Sequence, residues 1–453
     1  MPVNVLNRHD FSRLRNFYVM LMAMCLMARN IGVYSLLPAL IDSMIFNTLA
    51  ILGIFILAID IAKGNLIKNI KSNYLLSLFL VVMGVSTILS AKYGIFSNLK
   101  EIVWTSITFF IIYQCVQNSD NPKNTEDIII ILQNLVILFF GMMSFLAMIT
   151  AFLKFGQIFA LPNGKWIGIG CVENRLFGLY VNPNSASIMA IIAAMFSVFQ
   201  ILKPCNKALK KSINIINIIL QFLYLSFSKS RGSQMVALAV CAVFVFALVY
   251  KIINKPFNII VFFKCFASSV LVCGILFLAM YFLIDIFVMI FGEILGARND
   301  VVNNNDISNM RFELWLNGLE IFKNNWLFGV SPGNIAAYSK EVLPDLLLSK
   351  RNYQRLHSVW FGIPVYSGVL GAICFYTFLV KHFLNVLKYY LKTKIQKADP
   401  LFNLSVLIVF GICVYGLVES EILFFNSLCS LIFWVYLGFI ANFSKSKTEI
   451  TNL

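Results

Sequence analysis

Five cationic side chains and one imidazole stand where apolar segments begin or end. Arg175 precedes Asn182-Pro183-Asn184, and Arg231 follows Ser228-Lys229-Ser230. Arg311 heads an amphipathic stretch, Arg355 and His357 come just before another apolar run, and Lys100 starts a further one. Arginine stays charged and offers a planar fork of donors that matches phosphate oxygens. Several arginines converging on one point would bind a pyrophosphate and stabilise it as a leaving group. A neutral His357 could take a proton from an acceptor hydroxyl, and an imidazolium could contact phosphate. Taken singly, each arginine reads equally well as an interfacial anchor, and a lone histidine is more often structural. Glu419 and Glu421, read as the tight, exposed turn between the last two apolar runs, could orient an arginine or act as a base.

Other chemistries find no support in the spacing. There is no HExxH or Asp-x-Asp, and only one histidine in the segments just described, so no metal site is expected. Nucleophile elbow, Walker loop and dinucleotide fingerprint are missing, so no cofactor is expected either. The activating energy must then arrive with the substrate. The ten cysteines show no CxxC pairing and read as small packing residues.

The elements that must position these residues are membrane helices. The 453 residues are 60% hydrophobic and only 12% charged, against about 25% charged in a soluble chain. Apolar runs of about 20 residues fall near 17–40, 43–62, 74–91, 98–116, 127–153, 184–202, 213–228, 233–250, 265–290, 359–380, 401–418 and 422–442. This predicts an all-α polytopic bundle of twelve spans in one membrane domain, 1–453, with no cleaved signal peptide. The net charge of +16 is concentrated in alternate loops. With both termini cytoplasmic, most Lys and Arg lie inside, so the excess is a topology signal and a contact for anionic headgroups, not a nucleic-acid footprint. The candidate residues then all lie on the outer side of a plasma membrane. Two outer loops are long, 154–183 and 291–358. In the second, Ser308 should cap a helix whose apolar stripe is Phe312, Trp315, Leu316, Leu319 and Phe322, lying on the membrane surface or over a cavity.

Four ordered pieces resemble the superfamily of O-antigen ligases and of O-antigen and capsule polymerases. They are Arg175–Asn184 with the following Ser-Ala-Ser, Ser230-Arg231-Gly232-Ser233, Met310–Gly333, and Leu356-His357-Ser358 with Gly368-Val369-Leu370-Gly371. Ser331 stands where the family usually has Gly, Trp326 where it has Pro, and Ser358 where it has Asn. The likeness covers roughly 170–375. It implies a GT-C-like helical fold and a metal-independent, inverting glycosyltransferase of the bacterial inner membrane. Glycan would pass from undecaprenyl diphosphate to an acceptor at the outer face. On this likeness Arg231 would bind the diphosphate and His357 would activate the acceptor hydroxyl or hold phosphate. Arg175 and Arg311 would support, with Arg355 and Lys100 as further diphosphate contacts and Glu419 and Glu421 on the acceptor side. The acceptor would be another lipid-linked repeat unit in a polymerase, the preferred reading, or lipid A–core in a ligase. A chain-length regulator and a flippase would be further partners. A transporter of lipid-linked sugars is the alternative of a different class. It should place ionisable groups near mid-membrane, where Arg29 and Asp60 are the only candidates.

Overall fold

The computed structural model describes residues 3–64, 70–117, 122–161, 166–203, 207–253, 258–291, 308, 310–351, 353, 355–393, 398–424 and 426–450. Twelve long helices among them match the twelve apolar runs. The first nine are α1 (Val3–Arg29), α2 (Ala39–Ala62), α3 (Tyr74–Leu89), α4 (Ile95–Gln117), α5 (Pro122–Phe152), α6 (Pro183–Leu202), α7 (Ala208–Ser228), α8 (Arg231–Ile253) and α9 (Ile259–Phe291). Three short helices follow: α10 (Arg311–Asn324), α11 (Ile335–Val342) and α12 (Leu347–Lys350). The last long ones are α13 (Val359–Thr393), α14 (Pro400–Tyr415) and α15 (Leu428–Ile450). Eight of the described helices are long and apolar enough to cross a membrane, and α3, α14 and α15 are shorter apolar helices. The protein is an all-α, multi-pass membrane protein.

Backbone groups in lipid must be satisfied within the segment, which makes each run helical. Between helices, side-chain amides and hydroxyls act as ties. Gln133 on α5 donates to Tyr436 on α15 at 3.0 Å and accepts from Gln200 on α6 at 3.2 Å. Tyr180, Ser144, Gln221, Asn217 and Ser197 form a second chain through α5, α6 and α7. Arg15 and Asp60, both buried, pair between α1 and α2, and Arg29 pairs with Asp42 at 2.7 Å. His382 is buried in α13 and bonded to Tyr113 at 3.0 Å.

Several boundaries differ from the expectation. The first helix ends at Arg29, followed by a 3-10 turn at Gly32–Leu36, so 30–40 is not part of it. The 154–183 loop is folded as an antiparallel sheet, β1 (Gly156–Ala160), β2 (Trp166–Val172) and β3 (Arg175–Gly178), in that order. Glycines permit it: a Cβ on Gly170, at φ +82°, would lie 2.0 Å from the Phe155 carbonyl oxygen. The last two helices are joined not by a tight turn but by 416–427, folded into the protein. Ser308 does not cap α10. The N-cap is Met310 in a left-handed conformation, with no side-chain cap bond.

The long 310–358 segment forms a cap with its own core of Leu314, Ile321, Val330, Ile335, Leu348, Leu356, Val365 and Tyr366. Part of the predicted loop, 292–307, lies outside the described residues. The Val330–Asn334 turn is a clasp onto the bundle. Ser331 meets Ser86 and Thr87 at 3.1 Å, Gly333 N donates to Asn98 at 2.8 Å, and Asn334 Nδ2 donates to the Ser90 carbonyl and hydroxyl oxygens at 2.9 Å. The same segment enters a break in α13 at Gly368 (φ 64°, ψ −172°). Val330 N and Ser331 N donate to the carbonyls of Val365 and Tyr366, and Val369 N and Leu370 N donate to those of Trp326 and Leu327. The interrupted backbone is thus satisfied by the cap. A Cβ on Gly368 would sit 2.1 Å from the Leu327 oxygen, which accounts for that glycine.

Candidate active site

Glu419 is the centre of the polar cluster. Its Oε1 accepts from Arg311 at 2.6 Å and from Asn184 Nδ2 at 3.4 Å, and its Oε2 lies 3.1 Å from His357 Nδ1. The carboxylate is largely enclosed, at 13% exposure, whereas the His357 side chain is 40% exposed. Glu419 therefore joins the head of α10, the entry to α6 and the approach to α13. It is not the solvent-exposed turn residue expected from sequence.

Local structure brings each partner in. Asn182 caps α6 by accepting from Asn184 N at 2.8 Å, with Pro183 in the first turn. This aims Asn184 and Ser185 at the 416–427 segment. Arg175, at the start of β3, donates from Nε to the Ser228 carbonyl at 2.9 Å and from Nη2 to Asn184 Oδ1 at 2.8 Å. Its forked donors thus tie the end of α7 to the start of α6. Lys229 adopts a left-handed conformation between α7 and α8, turning the chain so that Arg231 opens α8 at the same end. A Cβ on Gly232 would meet Val418 at 2.8 Å and lie 3.9 Å from the Arg311 guanidinium. The Ser-Arg-Gly element thus brings the start of α8, which Arg231 opens, against Arg311.

His357 has φ +49°, unusual for a bulky side chain and a mark of positional constraint. Ser358 and Val359 supply the constraint: Ser358 Oγ donates to the Gly416 carbonyl at 3.2 Å and Val359 N to the same oxygen at 2.9 Å. Ser358 at the family's Asn position thus pins His357 alongside Glu419. A carboxylate can only accept, so a neutral His357 carries its proton on Nδ1 and leaves the Nε2 lone pair open.

Glu421 is a second, more deeply buried carboxyl, 5% exposed. Burial pushes its pKa up to about 7, and the neighbouring Glu419 adds to this, while a hydrogen bond from Ser185 and the charge of Arg355 oppose it. Its Oε2, the Tyr415 hydroxyl and Ser420 Oγ are buried without a hydrogen-bond partner among the described residues. The charge of Arg355 acts on both Glu421 and Glu101. Lys100 is exposed on α4, next to Glu101.

Sequence reasoning missed Glu101, Asn184 and Ser185. An acid inside an apolar run was the available signal for Glu101. The other two fall in the first turn of α6, after the Asn182 cap, with nothing in the spacing to say what they face.

A cavity of about 2060 Å³ lies in the bundle among α6, α7, α8, α9, α13 and α14, with almost wholly apolar walls that include Ala190, Leu225, Val240, Phe277, Tyr376 and Phe410. Comparison with curated proteins found no match. Residues 216–376 match the model of the O-antigen ligase family. That span includes Arg231, Arg311, Arg355 and His357, and leaves Arg175, Glu419 and Glu421 outside it. Over this stretch the chain is similar to the O-antigen ligase family.

Proposed function

We propose that the protein is a glycosyltransferase that moves glycan from a polyprenyl diphosphate carrier to an acceptor hydroxyl, as a repeat-unit polymerase of surface polysaccharide. The observation that carries this reading is the Arg311–Glu419–His357 assembly, with the Ser-Arg-Gly element packed against Arg311. His357 Nε2 takes the proton of the acceptor hydroxyl as its oxygen attacks the anomeric carbon. The bond from that carbon to the carrier's phosphate oxygen breaks, and its electron pair leaves with the diphosphate. Arg231, Arg311 and Arg355 neutralise the charge that develops there, the part a metal plays in other transferases. Attack from the face opposite the leaving group inverts the anomeric centre. Glu419 holds the imidazole in the tautomer with a free Nε2 and stabilises the imidazolium that forms. Glu421 and Ser185 border the acceptor side.

The apolar cavity suits a polyprenyl tail, and the inner membrane, with the cluster on its outer face, is where such a carrier would be met. A transporter is less well supported, because the charges within the bundle are tied up in helix-to-helix pairs, Arg15 with Asp60 and Arg29 with Asp42. A ligase is the second reading, favoured by the description of the matching family.

The test is transfer by purified protein with a lipid-linked repeat unit, read as a glycan ladder with EDTA present. A ladder from that donor alone, abolished in folded Arg231→Ala and His357→Ala, supports the polymerase. Product only with lipid A–core added makes it a ligase. No transfer to either acceptor overturns the enzymatic reading.

A further inference from the structure

Helix α10 has two apolar faces, and the cap uses one of them. Leu314, Gly318 and Ile321 are buried in the cap core. On the other side Phe312, Leu316 and Leu319 are 64%, 62% and 41% exposed. At about 100° per residue these three form a stripe with the half-buried Trp315 and Phe322. A separate charged edge carries Glu313 and Glu320. The sequence had singled out this stripe, and the buried face is a different one.

Three observations indicate what covers it. The Trp315 ring stacks on Phe361 with centroids 4.9 Å apart and planes 11° apart. Phe361 is itself partly exposed in the first turn of α13, so the stripe runs without a break onto the surface of a membrane helix. Trp315 Nε1 is satisfied inward by the Leu356 carbonyl at 3.1 Å, which leaves that side without a polar requirement. Trp326, 58% exposed, lies where the cap enters the Gly368 break. Phe361 stands at the start of the apolar run 359–380, so its stack with Trp315 sets the stripe at the membrane boundary, the level at which tryptophan concentrates.

The geometry points to α10 as an in-plane membrane anchor, its Phe312–Leu316–Leu319 stripe seated at the headgroup–acyl boundary of the adjacent leaflet. The occupant of this surface is lipid. One consequence rests on the function proposed above: Arg311, the first residue of α10, is held at headgroup depth, the height of the diphosphate on an embedded carrier.

The experiment uses the full chain in lipid nanodiscs, without substrate. A photoreactive benzoylphenylalanine replaces Leu316, Leu319, Glu313 or Glu320, one at a time, and adducts are identified by mass spectrometry after illumination. Lipid adducts at 316 and 319, with none above background at 313 and 320, are expected. Equal labelling at all four positions would overturn the anchor. So would adducts at 316 and 319 formed with a second protein chain and not with lipid. Because no transfer is measured, failure of the anchor and failure of the enzymatic reading are separate results.

Discussion

Replacing Glu419 with Gln changes one atom type at the point where three donors meet. Arg311 and Asn184 converge on Oε1, and His357 Nδ1 lies at Oε2. An amide has one accepting oxygen. If that oxygen stays with Arg311 and Asn184, the amide nitrogen faces His357 Nδ1, and two donors oppose each other. The imidazole relieves this by carrying its proton on Nε2, the atom that must accept the proton of the acceptor. General-base catalysis is then lost, so kcat should fall by about 10²- to 10⁴-fold, equivalent to about 3–5 kcal/mol in the barrier. Donor binding should change much less, because Arg231 and Arg355 remain. The assay is the initial rate of glycan transfer in nanodiscs at saturating and limiting donor, with thermal unfolding to confirm folding. Glu419→Asp, which keeps the carboxylate, should recover part of the rate. A folded Glu419→Gln variant with the parent's kcat would refute the role given to the Nδ1–carboxylate contact.

Two further outcomes follow from positions outside that contact. Gly368→Ala places a Cβ 2.1 Å from the Leu327 oxygen at φ +64°. It should cost about 3 kcal/mol or more, read as a lower Tm or as aggregation in size-exclusion chromatography; an unchanged Tm would contradict the break described for α13. Glu421 has its folded-state pKa raised to about 7 from 4.5, so its contribution to stability is complete below about pH 4.5 and is lost as pH rises through about 7. The parent should therefore lose roughly 3 kcal/mol across that window from this group, and Glu421→Gln should not. Parallel Tm-against-pH curves for the two proteins would be inconsistent with a protonated Glu421.

The twelve long helices were legible because length and apolar continuity decide a membrane helix, with little competition from tertiary context. Arg175, Arg231, Arg311 and Arg355 stand out in the sequence because charged residues are few and these flank apolar runs. What they contact was not legible. Arg175 reads in sequence like Arg231, yet its donors are engaged by Ser228 and Asn184. Glu419 and Glu421 resembled an exposed turn because the apolar run was extended to 418 and restarted at 422. The helices stop at Tyr415 and restart at Leu428, and long-range bonds from Ser358 and Val359 fold the intervening chain inward. The sheet at 156–178 was hidden for a related reason: its strands are short and its pairing depends on glycine contacts that no periodicity reveals.

The way the cap meets α13 has a mechanical consequence. The backbone of 326–331 completes hydrogen bonds for Val365–Leu370, so lifting the cap would strip polar groups of a membrane helix of their partners. The clasp on Ser86, Thr87, Ser90 and Asn98 would have to open at the same time. The cap is thus no swinging lid, and a hinge that admits a bulky lipid-linked substrate has to lie elsewhere. The α8–α9 hairpin is the weakest-held part of the wall: only 11% and 17% of the apolar stretches of these helices are buried, and they border the apolar cavity. Any breathing of the bundle would carry Arg231, the first residue of α8, along with it, and on the function proposed above this would couple entry of the carrier to the charge proposed to receive its diphosphate.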